Sequence, residues 1–236
     1  MSSITPTVKL HLNKRETTFL VPLYITLLVA VVSVLIALIF WRSGSQPGSD
    51  GWIIGSRNNP GIAYSLPGFL VYLGVQSIGT TFPFALTLGA TRRAFTAGTL
   101  AWAAMVSAYL AIVLAVLTMV EIATNHWFSG FYIFDIYILG TGNIPRLLII
   151  VFLGALTSLT LGGVFGAAWV RFGNNGPRTL GIAMGLIVAV VALLVVPALP
   201  DLMDAFQLWW LAVAAVVIIA ASSTASWAFL RSATVR

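Results

Sequence analysis

The chain has 236 residues, of which 59% are apolar and only 8% charged, and its mean hydropathy is +1.01. So little polar surface cannot cover a water-soluble body of this length, which excludes a soluble enzyme or binding module and makes lipid the main solvent. The formal charge is +6, but the basic residues stand in short clusters between apolar runs, which fits bilayer orientation rather than nucleic-acid binding; cysteine is absent, which removes disulfides, thiolate metal sites and thiol nucleophiles.

In chain order, the N-terminal stretch VKLHLNKRETTFL predicts a short helix lying on lipid headgroups, with Val8, Leu10 and Leu12 as an imperfect apolar face. The first span is predicted over 19–41 and ends at Trp41, where an interfacial aromatic belongs. It has no small-residue cleavage site and reads as a retained span. A loop rich in Gly, Ser, Pro and Asn follows, from Arg42 to Pro60. The second span, 62–86, contains Pro67, Gly68, Gly74, Gln76, Thr80 and Pro83, so it is expected to be bent or interrupted. The turn GATRRAF leads to the third span, 96–120. A long outer loop, Glu121 to Ile144, carries Trp127, Phe128, Phe131, Tyr132, Phe134 and Tyr137, all suited to the interface. Spans four, five and six are predicted over 145–170, 180–196 and 206–230, with Pro197 and Pro200 marking a tight turn between the last two. The expectation is one all-α membrane domain over 1–236, crossing about six times at about 20 residues per span.

Loop charges set the orientation. With the N-terminus inside, Lys9, Lys14, Arg15, Arg92, Arg93, Arg171, Arg178, Arg231 and Arg236 fall in the cytoplasm, nine of the 12 basic residues. Five of the six acids (Asp50, Glu121, Asp135, Asp201 and Asp204) fall outside, so the positive-inside rule places both termini in the cytoplasm.

The reactive inventory is small. Lys9 and Lys14 are the only lysines and neither follows a phosphate-binding glycine loop, so no Walker site is present. His11 and His126 lie outside the spans and HExxH is missing, which argues against intramembrane proteolysis and a zinc site. No ionisable residue falls at a span centre, which weakens an ion-coupled carrier. The expectation is no enzyme activity, no metal and no cofactor held by the chain itself.

Three patterns remain. Gly154, Ser158, Gly162 and Gly166 in span four, and Gly181 and Gly185 in span five, recur every four residues and predict smooth helix faces, packed within the subunit or against a second copy. Ser65, Gly68, Tyr72, Gln76 and Thr80 share one face of span two; this face is read as a pathway wall, with Glu121 at its outer mouth, or else as a set of interhelical hydrogen bonds. In the turn between spans two and three, Thr91 is suited to cap a short helix presenting Arg92, Arg93 and Phe95, the alternative being a basic turn that fixes topology alone.

About six spans without an ATPase domain, an amphipathic N-terminal segment and the stretch FPFALTLGATRRAFTAGT together resemble the permease subunit of ABC-2 type (type V) ABC exporters, in the short form of actinobacterial systems. The resemblance implies a dimer of permeases, identical or not, with two ATP-binding subunits that hold ATP and Mg. It also implies that the turn is a cytoplasmic coupling helix, with Gly89, Thr91, Arg92, Arg93 and Phe95 contacting the motor and Lys14, Arg15 and Glu16 forming a second contact. The expected cargo is an amphiphilic small molecule, peptide or lipid, exported across a bacterial plasma membrane. The short link between spans five and six departs from the outer re-entrant helices of many such exporters. A membrane scaffold or sensor, or an ion-coupled secondary transporter, stands as the alternative function.

Overall fold

Helix is the only regular structure among the described residues, because a backbone in hydrocarbon must satisfy its own polar groups. The computed structural model describes residues 4–233 without the side chains of Phe128, Ser129, Asp201 and Met203, so Arg236 and the side chains of Phe128 and Asp201 lie outside the described residues. The elements are α1 (Thr5–Leu12), α2 (Val21–Arg42), α3 (Asp50–Arg57), α4 (Gly61–Gly79), α5 (Thr81–Thr87), α6 (Arg92–Ala123), α7 (Ile144–Phe172), α8 (Asn175–Val195), α9 (Leu199–Ala205) and α10 (Trp209–Arg231). Six stretches are long and apolar enough to cross a membrane: Glu16–Arg42, Asp50–Thr87, Arg92–Ala123, Ile144–Phe172, Asn175–Ala198 and Trp209–Arg231. The chain is an all-α, multi-pass membrane protein.

Local chemistry accounts for where the elements depart from the expected spans. The loop after span one contains α3, which starts where the Ser49 hydroxyl accepts a hydrogen bond from Trp52 N–H at 3.3 Å. The second span is interrupted as expected, and the break falls at Thr80. Pro83 has no N–H to offer the Gly79 carbonyl and its ring crowds that oxygen, so α4 ends at Gly79 and α5 begins at Thr81. The link between spans five and six is helical rather than a tight turn: a single turn over Val196–Ala198 runs into α9, with Pro197 and Pro200 at the starts, where their missing N–H groups cost nothing.

Two compact units can be distinguished. One comprises the chain up to His11, Val71–Leu100 and everything from Leu159 on; the other comprises Leu12–Leu70 and Ala101–Ser158. The core of the first unit gathers Ile78, Phe82, Ala85, Phe95, Ala167, Leu230 and Ala233, all buried, from α4, α5, α6, α7 and the end of α10. α1 docks on α6 through an unexpected face. In place of the expected face of Val8, Leu10 and Leu12, its buried residues are Thr7 and His11, and Leu10 packs partly against the core. His11 Nε2 lies 3.0 Å from the Thr99 hydroxyl, and Thr7 fills the space a side chain on Gly98 would need.

Lipid tails are as apolar as leucine, so helix association in a membrane depends on close packing more than on water exclusion. The glycines of α7 serve that purpose. A Cβ on Gly162 would come within 2.0 Å of the Val71 carbonyl oxygen, and one on Gly166 within 2.6 Å of the Val75 oxygen. Across the contact, a Cβ on Gly74 would meet the Leu159 oxygen at 2.2 Å. Further along the stripe, Ser158 is buried and donates to the Gly154 carbonyl at 2.9 Å, whereas Gly154 itself is exposed with nothing near its missing Cβ. The matching glycines of α8 meet no helix backbone: a Cβ on Gly181 would touch only the edge of the Phe165 ring, at 3.9 Å, one on Gly185 would meet nothing within 4 Å, and none of that span's apolar window is buried.

Candidate functional site

The basic turn is fixed by two residues. Gly89 stands in the left-handed region at φ +81°, which only glycine adopts without strain. It ends α5 with a paired C-terminal lock in which Gly89 N–H donates to the Leu86 carbonyl and Ala90 N–H to the Ala85 carbonyl, each at 3.0 Å. Two residues later Thr91 caps α6, its hydroxyl accepting from Ala94 N–H at 3.2 Å. The cap has the chemistry read from the sequence, but it opens the third span itself rather than a separate coupling helix. The short helix of this region is α5, on the other side of the turn.

The side chains of the turn divide into two groups. Phe95 is fully buried against Phe82, with ring centroids 5.1 Å apart, so it is a core residue and not one that the turn presents. Arg92 is half-buried and turns to the end of α10, donating to the carbonyls of Leu230 and Arg231 at 2.8 Å each. A guanidinium there answers the partial negative charge of a helix C-terminus and uses carbonyls that have no partner inside the helix. Leu88, Gly89, Thr91 and Arg93 remain exposed. Lys14, Arg15 and Glu16 are exposed too, but they belong to the other unit.

The face of α4 proposed as a pathway wall points away from the chain. Tyr72 is 53% exposed, Thr80 is exposed and Gln76 is half-buried, while Leu73, Gly74, Ser77 and Ile78 form the buried side. Thr80 returns its hydroxyl proton to the Gln76 carbonyl at 2.8 Å, and Ser65 donates likewise to Ile62 at 3.2 Å. The Gln76 amide makes no side-chain hydrogen bond among the described residues, a costly arrangement if hydrocarbon alone covered it.

Glu121 stands apart from that face. It is 0% exposed, and its carboxyl oxygens accept backbone N–H bonds from Ile133 (3.0 Å), Phe134 (2.7 Å) and Asp135 (3.3 Å). This corrects its expected place at an open mouth. The long loop is packed rather than spread on an interface: Phe131, Ile133, Phe134, Ile136 and Leu139 are buried, and a buried loop must find acceptors for its N–H groups. Glu121 supplies them.

Beside this clamp lies a polar cluster that sequence reading missed. Asp135 Oδ2 takes Arg57 at 3.3 Å and His126 Nε2 at 3.2 Å. The Arg57 guanidinium sits 4.3 Å from the Tyr132 ring centroid, and the His126 ring lies 3.8 Å from the same ring. Asn125, His126 and Trp127 all have positive φ (51°, 55° and 58°), a left-handed turn that costs side-chain-bearing residues about 1–2 kcal/mol each. Arg57 and Asp135 are 78 residues apart, and their pairing has no local signal.

Comparison with protein-family models, with curated proteins and with solved structures found no match.

Proposed function

We propose that this chain is the membrane-spanning subunit of an ATP-driven exporter, a permease that works as a dimer with two separate ATP-binding subunits holding ATP and Mg. The observation that carries this reading is the build of the basic turn. An exposed patch of Leu88, Gly89, Thr91 and Arg93 is joined through locked helix ends to α5 and α6, through Arg92 to α10, and through the shared core to α7. Force applied to such a patch moves several spans together. The Glu121 carboxyl is committed to three backbone N–H groups, so a coupling ion has little to gain there and work is better supplied from outside the chain. On this reading the turn is cytoplasmic, the outward Tyr72–Gln76–Thr80 stripe, with Gln76 half-buried, meets the second permease or the cargo path, and the cargo is an amphiphile. Isolation from native bacterial plasma membrane in mild detergent tests it. ATP-binding subunits are expected in the complex, and a complex without them overturns the reading.

A further inference from the structure

Away from the basic turn, two cavities share Trp52 and Phe131 as a common wall. These rings meet edge to face with centroids 5.3 Å apart, and both are buried, at 6% and 5% exposure. The first cavity, about 410 Å³, is lined by apolar groups that include Val34, Leu38 and Trp41 of α2 and Ile133 of the long loop. The second, about 560 Å³, is lined by Ser45, Ser49, Ser56, Asn58 and Asn59 beside apolar residues. Both volumes are in the range of small-ligand sites, roughly 300–1,000 Å³. All of these residues belong to one compact unit.

The two linings call for different chemistry. Val34, Leu38 and Trp41 lie three or four residues apart on one stripe of a lipid-exposed span, flanked by Leu35 and Ile39 at 53% and 65% exposure. An apolar space there stays dry and is filled by an alkyl chain rather than by water. The second cavity presents hydroxyls and amides, and no Lys, Arg, Asp or Glu lines it. Trp52 lines both, so its ring joins the apolar space to the polar one.

We propose that the paired cavities bind an amphiphile with an alkyl chain and an uncharged, hydroxyl-rich head, the chain beside Val34, Leu38 and Trp41 and the head beside Ser45, Ser49 and Asn58. The assignment does not depend on the exporter reading, since such a site would serve a scaffold or sensor equally well.

Photolabelling of the full chain in nanodiscs tests it, using a monoglycosyl diacylglycerol with a diazirine in its acyl chain and mapping the adducts by mass spectrometry. Leu193 and Leu194 of α8, 74% and 71% exposed, report contact with bulk lipid. Adducts at 34–41 and 127–133 are expected to exceed those on α8 by about fivefold or more, with unlabelled glycolipid competing and phosphatidylglycerol not. Labelling that follows exposure, with α8 highest, overturns the site; equal competition by phosphatidylglycerol overturns the uncharged head. Val34→Trp fills the first cavity from a position 44% exposed, and Gly55→Leu fills the second from a position where a Cβ meets nothing within 4 Å. The first variant is expected to lower the adducts to the α8 level, and the second to remove the preference for glycolipid. Unchanged labelling in both refutes the proposal.

Discussion

Helices α7 and α8 carry the same four-residue spacing of glycine, yet the stripe on α7 is packed against backbone and the stripe on α8 is open. Gly162 and Gly166 lie against backbone of α4, where Gly74 offers a matching hollow, while Gly185 touches nothing. A small residue lets two backbones approach only where the facing helix is small at the same height. The stripe on α7 has that partner; the stripe on α8 meets no helix backbone among the described residues. The turn repeats the lesson on a smaller scale, since Arg92 is committed to the end of α10 and its neighbour Arg93 is left open.

Removing committed groups should hurt the fold, and altering open ones should not. The sharpest contrast is at Glu121. Glu121→Ala orphans three buried N–H groups, each costing about 1–3 kcal/mol, and is expected to expose the 124–143 loop to limited proteolysis, whereas Glu121→Gln, which keeps one acceptor oxygen, loses less. Next is Gly162→Leu. Its side chain must displace the Val71 carbonyl, a cost of about 3 kcal/mol, and thermal unfolding in mild detergent should show a clear fall. Arg92→Glu removes two charge-assisted bonds worth about 1.5–3 kcal/mol each and should lower stability, while Arg93→Glu should leave stability unchanged and, on the exporter proposal, release an ATP-binding subunit. Equal effects of the two arginines on stability would break the distinction. The smallest change is expected from Gly185→Leu, within about 0.5 kcal/mol for the isolated chain. If it nevertheless dissociates a larger complex, as read by size exclusion, α8 is the face another subunit covers.

Hydropathy made the six spans legible, and turn chemistry made two local features so: Thr91 as a helix cap and the break near Pro83 follow from residue types acting within one helical turn. What depends on distant partners was not legible. Nothing near Gly162 distinguishes it from Gly185, because the deciding residue, Gly74, is 88 positions earlier. Phe95 and Arg92 looked like surface groups because they sit in a polar turn; burial by Phe82 and the carbonyls of α10 drew them inward. Glu121 was misplaced for the same reason, since a packed loop needs internal acceptors and the sequence gives no sign that the loop is packed. A loop dense in aromatics but poor in Gly and Pro over 131–139 is the one signal that was present.

Photocrosslinking from position 93 in native membranes probes the turn most directly. A photoreactive residue replacing Arg93 is expected to capture an ATP-binding subunit, with the yield falling when excess free turn-binding subunit competes. Capture of lipid alone, or reaction of that position with a membrane-impermeant reagent added outside intact cells, would contradict a motor-facing role for this bend.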